Sequence, residues 1–432
     1  MKLLVIDSGG RGHSIVWKVA QFSAEEIWCA PGNAGIGQER MQNGEPVQCV
    51  PLETTDLAGL LQFALEKRPD LTLVGADDPL ALGIVDLFQS RGLRIWGTNR
   101  RAARFEASKA YTQWFCERHR VPCAEGISSR SEEDILAYAK QRGWQCVVKA
   151  DGLALGKGAH PCRTEAQVRE AITRVRALGA SGDVIVVQEF LQEGRELSLH
   201  FFCDGTTARL MPSSVDHKTI DEAGKGLMTG GMGTISPDPA LSEDEYSKIA
   251  EAIITPWLKG CEQEGIDFRG VLYPGVKLTK DGPKLLEFNA RLGDTEAQTH
   301  LVRLETDLVE IAEATLAGML ERVDIRWKPV TSACVVLASE GYPGDVSRTN
   351  GLVITGLGTL ENWPNLKVFH AGTAEKNGTV VTNGGRVLGV TAWAETLAVA
   401  RLQAYRAVKQ IRFGGTIPVF RRDIGGPILD LN

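Results

Sequence analysis
The chain has 432 residues, 43% of them hydrophobic and 24% charged, with a formal net charge of −6 spread over both signs. That length allows about three domains with their own cores, and no basic block advertises a nucleic-acid or membrane surface. Nine cysteines without a C-x-x-C pair exclude a disulfide framework and a sequence-encoded zinc site, and no apolar run reaches the ~18 residues of a membrane span, so the expectation is a cytoplasmic protein without a targeting segment that acts on small soluble ligands.

From the first residue, the runs "KLLVID", "EEIWCA", "LTLVGA" and "LRIWGT" predict short strands. Helical segments such as "DLAGLLQFALEKR" separate them, which predicts a parallel α/β sheet over residues 1 to about 100. Three turns, "SGGRGHS", "APGNAG" and "GADDPLALG", fall at strand C-termini, the edge where open α/β sheets bind ligands. The first looks like a dinucleotide turn but fails its fingerprint. Counting from Gly10, Ile15 stands where the last glycine belongs, and the second strand ends at Cys29 and Ala30 with no acid for a ribose. What remains is a phosphate of another ligand at a helix N-terminus, or a plain tight turn.

The middle of the chain changes character. After the helix "ASKAYTQWFCERHR" and the break at Pro122 comes "WQCVVKADGLALGKGAHPC", a strand, a glycine-rich loop and a second strand. It is no P-loop: Gly152 to Lys157 is one residue short, Gly158 replaces Ser or Thr, and the loop enters a strand. Such a loop can still fold over a triphosphate while Lys149 reaches phosphate oxygens as a point charge; a solvated strand lysine is the bland alternative. "VIVVQEFLQEGRELSLHFFCDG" follows as strand, polar turn and strand, with Glu189 and Glu196 where adenine and ribose could be met. In "GPKLLEFNARLGDTEAQ", Glu287 and Asn289 leave one face of a strand. Either they pair across strands, or they supply the few protein oxygens that Mg²⁺ needs beside water and phosphate.

Taken in order, "APGNAG", "VVKADGLALGKG", "DHK", "TGGMG", "GVLYPG", "EFNARLGD", "VVLASEGYPG", "VFHAGT", "GGRVLGVTA" and "RRDIGG" resemble the glycinamide ribonucleotide synthetase family of ATP-grasp ligases over essentially the whole chain. The resemblance implies a multidomain α/β and α+β fold. Its parts would be an N-terminal α/β domain (1–102), a central ATP-grasp domain (103–122 and 194–327), a lid (123–193) and a β-rich C-terminal domain (328–432). It implies a ligase that activates glycine with ATP as glycyl phosphate and transfers the glycyl group to phosphoribosylamine, in a monomer or small homo-oligomer that uses Mg²⁺ or Mn²⁺. The implied nucleotide site is Lys109, Lys149, Gly152, Gly156, Lys157, Gly158, Glu189, Leu191 and Glu196, with Glu287 and Asn289 on the metal. Arg291 and Asp294 would stabilise the transferred phosphoryl group and place the carboxylate substrate, an ordinary ion pair being the alternative. Gly9, Gly10, Gly32, Asn33, Asp77, Asp78, Asp216, Lys218 and Gly231 would contact the substrates.

The chain departs from this family mainly on the substrate side. Where members usually read Gly-Arg-Glu-His-Ala, the chain has "GRGHS", with Gly12 in place of the acid. Their Pro-Glu in the third turn is Ala76-Asp77, followed by Asp78; their Pro-Asn before the Thr-Gly-Gly-Met-Gly run is Leu227-Met228; Thr295 replaces a proline. These changes leave three expectations: a true synthetase in which Asp77 or Asp78 substitutes for the lost carboxylate, a relative that joins another amine or amino acid, or a nucleotide-binding regulatory subunit without turnover.

Overall fold
The computed structural model describes residues 1–22, 24–153 and 158–428. Five parallel strands open the chain, in spatial order Gln48–Cys49, Glu26–Pro31, Lys2–Asp7, Leu71–Val74 and Ile95–Trp96. Leu3, Leu4, Val5 and Ile6 are all buried, as continuous apolar runs must be when both faces of a parallel sheet are covered by helices. The three glycine-containing turns lie at the C-terminal edge, where Asp7 pairs in register with Pro31.

Helix Arg100–Ala107 leads into helix Lys109–His119. The break falls at Ser108, whose extended backbone and hydroxyl, accepting from Tyr111 N–H, cap the second helix. That cap moves the start expected at Ala107 to Lys109. A four-stranded antiparallel sheet follows, ordered Gly126–Ser129, Ile185–Glu189, Cys146–Ala150, Ala159–Cys162. Helices Glu132–Gln141 and Glu165–Arg176 cover it. Lys149 stands opposite Ala159 where the glycine loop joins the two strands.

The long hairpin Arg269–Thr279 and Gly282–Asn289 forms the next sheet with Arg195–Ser198, Phe201–Asp204 and Ala208–Leu210. Beneath it Phe105, Phe115, Trp257, Phe268 and Phe288 pack as buried aromatics, Phe105 and Phe115 edge-to-face at 4.8 Å. Truncating one such ring costs about 3–5 kcal/mol. Val215–Asp216 and Gly233–Ser236, from the middle of the chain, join Thr331–Ala338, Arg386–Ala394 and Leu366–His370 in a last sheet covered by helix Leu397–Val408. A buried junction ties the last sheet to the first helix. His13 Nε2 meets Glu39 at 2.8 Å, Lys367 also pairs with Glu39, and His13 Nδ1 accepts from His370 N–H.

Candidate active site
A cleft of about 450 Å³ lies where these sheets meet. One wall is the strand Gly282–Asn289. Its ladder slips between Gly275 and Val276, which face Glu287 and Leu285, so that Leu286 is an extra residue. The bulge switches the strand's phase: Leu285 and Phe288 enter the core, while Glu287 and Asn289 face the cleft. The Leu286 carbonyl, left over from the ladder, accepts from Lys149 Nζ at 3.0 Å. Burial, reinforced by Lys109 and Lys218 and opposed by Glu287, lowers the Lys149 ammonium to about 8. Burial alone would raise the Glu287 carboxyl, but Lys218, Lys109, Lys149 and Arg291 outweigh it and hold it below the usual range. The structure therefore brings Lys109, Lys149, Lys218, Glu287 and Asn289 together, one carboxylate among several cations, an arrangement suited to phosphate and a hard metal ion. Among the described residues no group of three or more His, Cys, Asp or Glu could hold a metal unaided. A divalent ion at Glu287 and Asn289 would draw its other ligands from water and nucleotide phosphate.

Beyond the strand, Arg291 reaches Glu106 (2.8 Å) and Asn289 Oδ1 (3.2 Å), while its buried Nε has no partner. Asp294 accepts from Arg386 Nη2 (2.9 Å) and Gln298 Nε2 (2.6 Å). Burial would raise its carboxyl, yet Arg386 and Arg11 hold it low. Asp216 is driven well above the usual carboxylate range by burial and by Glu296, against Lys218 and Arg386. Glu296 in turn accepts from Tyr273 Oη at 2.7 Å and from Ser198 Oγ at 3.1 Å. Gly231, with φ of +109°, leaves no room for a side chain beside Asp216, since a Cβ would meet Oδ1 at 2.8 Å. Glu106, Tyr273, Glu296 and Arg386 line the cleft as well. Sequence reading singled out none of them, because each sits in an unremarkable local context, although the runs "GVLYPG", "GPKLLEFNARLGDTEAQ" and "GGRVLGVTA" carried Tyr273, Glu296 and Arg386 along.

The opposite wall is the edge of the first sheet. Helix Gly10–Ala20 starts after the glycine turn, but two of the turn's amides are engaged: Ser8 and Gly9 donate to Asp7 Oδ1 at 2.6 and 2.8 Å. Gly10 packs on Gln298 and Asp294, whose atoms a Cβ would meet at 2.5 and 3.5 Å. In the second turn Asn33 Oδ1 accepts from Gly35 and Ile36 N–H, and its Nδ2 donates to the Ser8 and His370 carbonyls. Gly32, at φ of +72°, has Cys49 where a Cβ would go. Asp77 and Asp78 open helix Asp77–Leu82. Asp77 lines the cleft 3.9 Å from Arg11 Nη2; burial would raise it, but Arg291 and Arg11 hold it low. Asp78, farther from these cations, is raised by burial and by Asp77.

The remaining expected residues are spread more widely. Glu189 accepts from Glu125 N–H (3.0 Å) and pairs with Lys284 (2.7 Å), and the Leu191 carbonyl accepts from Lys277 Nζ at 2.7 Å. Glu196 is exposed, and lines a crevice with Asp216, Lys218 and Glu287. Gly152 donates to the Ser181 carbonyl, and Gly158 lines the cleft; Gly156 and Lys157 lie outside the described residues. At the substituted positions, Leu227 and Met228 are exposed, Met228 on the cleft, and Thr295 bonds Thr234 at 2.7 Å.

Comparison with known proteins follows the chain from end to end. Family models of the phosphoribosylglycinamide synthetase N domain, ATP-grasp (A) domain and C domain match residues 1–106, 107–297 and 332–427. The phosphoribosylamine–glycine ligase of Vibrio cholerae is 43% identical over 430 residues, 98% of both chains. That of Caldanaerobacter subterraneus is 40% identical over 428 residues, covering 98% of this chain and 99% of its own. Among solved structures, phosphoribosylamine–glycine ligase of Thermotoga maritima superposes with a TM-score of 0.82 at 29% identity, covering 98% of this chain and all of the other. The biotin carboxylase domain of Hydrogenobacter thermophilus 2-oxoglutarate carboxylase, solved with MgADP and bicarbonate, superposes at 0.73 over 95% of this chain and 90% of the other; at 16% identity the likeness is one of fold.

Proposed function
We infer the activity from one premise: this chain belongs to the phosphoribosylglycinamide synthetase family. It is an ATP-dependent ligase that joins glycine to 5-phosphoribosylamine, giving glycinamide ribonucleotide, ADP and phosphate in purine biosynthesis. The observation that carries this reading to the residues is the convergence of Lys109, Lys218, Glu287, Asn289, Arg291 and Asp294 on one cleft whose far wall is the edge of the first sheet.

A carboxylate is a poor acyl donor, so a glycine oxygen attacks the γ-phosphorus of ATP, the bond to the β-phosphate oxygen breaks, and ADP leaves with that electron pair. The amine nitrogen of phosphoribosylamine then attacks the carbonyl carbon of glycyl phosphate, phosphate departs, and the nitrogen loses a proton. Lys149 and Lys109 neutralise phosphoryl oxygens, and Arg291, held by Glu106, steadies the transferred group. A divalent cation at Glu287 and Asn289, Mg²⁺ or Mn²⁺, screens the phosphate charges when bound. Glu189, Leu191 and Glu196 stand toward the nucleoside, and Gly152 and Gly158 toward the phosphates. Asp216, Lys218 and Gly231 border the amino acid, while Gly9, Gly10, Gly32, Asn33, Asp77 and Asp78 border the amine. Among the described residues no helix is long and apolar enough to cross a membrane, in keeping with work in the cytoplasm, as a monomer or small homo-oligomer.

The test is ADP release with glycine and phosphoribosylamine, with product mass as a second readout. Formation of glycinamide ribonucleotide supports the assignment. ADP release only with another amine or amino acid would overturn the substrates, and no release with any pair would overturn the ligase.

A further inference from the structure
Gly12, where the family carries an acid, has no room for a side chain. A Cβ there would stand 2.5 Å from Asp7 Cβ and 2.8 Å from its Cγ, closer than any relaxed contact. Across the sheet, Gly75 yields to the same side chain, since a Cβ would meet Asp7 Oδ2 at 2.4 Å. Two glycines thus cradle a carboxylate that is 3% exposed, in the space an acid at position 12 would claim. Every oxygen of that carboxylate is used. Oδ1 accepts from Ser8 and Gly9 N–H, and Oδ2 accepts from Arg11 Nε at 2.9 Å. Arg11 lines the cleft. With Nε fixed, Nη1 donates to the Leu292 carbonyl at 3.3 Å and Nη2 faces Asp77 at 3.9 Å, a gap that leaves this edge of the guanidinium for an oxygen of a bound acceptor.

We propose that Asp7 is a positioning residue of the acceptor site: the acid absent from position 12 has moved across the turn to the end of the first strand, where it aims Arg11 at the amine substrate. This rests on the ligase reading above and assigns to Asp7 the compensation first expected of Asp77 or Asp78. The Asp7 carboxylate is buried and held by two backbone N–H groups, and geometry fixed before binding is what an acceptor site requires.

The experiment begins with the unmodified enzyme and ATP, glycine and phosphoribosylamine; no product there overturns the ligase reading and not this inference. Given turnover, Asp7→Asn keeps the shape and the Ser8 and Gly9 bonds but loses the bond from Arg11 Nε. It should raise the acceptor KM about tenfold or more with ATP affinity unchanged. Asp7→Gly should do the same, and Asp7→Gly with Gly12→Glu should restore most of the acceptor KM, because the exchange returns the acid to position 12. An unchanged acceptor KM in Asp7→Asn, or a folded exchange variant no better than Asp7→Gly, overturns the proposal.

Discussion

The two walls of the cleft are made by different devices. Glu287, Asn289 and Lys149 stand on paired strands, placed by ladder register and by one bulge. Arg11 and Asp77 stand on helix starts, placed by the ion pairs of Arg11 with Asp7 and with Asp77. Within paired strands the position of a side chain is fixed by its neighbours' hydrogen bonds. Where the first strand gives way to the helix Gly10–Ala20, Asp7 and Gly12 share one volume, and either can supply its contents.

The strongest way to break the comparison is Glu287→Gln, which removes a charge while keeping shape. Turnover should fall at least about a thousandfold, some 4 kcal/mol, with the melting transition in place. Near-normal activity would mean that the strand wall does not hold the metal. On the turn wall, Asp77→Asn should cost about 1–3 kcal/mol in acceptor kcat/KM and leave ATP affinity unmoved. A shift in ATP affinity measured by calorimetry would erase the division between the walls. Gly12→Ala should lower stability by about 1–2 kcal/mol through its clash with Asp7, with most of that loss recovered in an Asp7→Gly background. Denaturant titration of the four variants decides whether the shared volume is real.

The smallest effect is in pH. Lys149 binds phosphate as the ammonium, and burial first, then Lys109 and Lys218, bring its pKa down to about 8. Because the charged form lies below that value, ATP affinity of the free enzyme should decline as pH rises through it, by no more than about tenfold from pH 7.5 to 9. Lys149→Arg should flatten the profile; a flat profile in the unmodified enzyme would sink this role for Lys149.

The strand wall was legible in the sequence because period-two alternation puts Glu287 and Asn289 on one face whatever the surroundings. The parallel sheet was legible for the same local reason. Glu106, Glu296 and Arg386 were not, since each comes from a different segment and acquires meaning only through contacts with Arg291, Asp216 and Asp294. The first turn misled in part: its glycines read as donors open to phosphate, while the neighbouring Asp7, in plain view at the end of "KLLVID", takes two of the amides. A sequence gives the spacing of glycines but not which side chain fills the room they leave.

The bulge at Leu286 separates what the sheet needs from what the reaction needs. Excising that single residue would bring Leu285 and Glu287 into direct succession opposite Val276 and Gly275, a regular ladder with each side chain still on its present face. The architecture would lose nothing but an irregularity, while Lys149 would lose the carbonyl that anchors it. The irregularity thus serves the lysine that faces the phosphates and not the ladder that carries it.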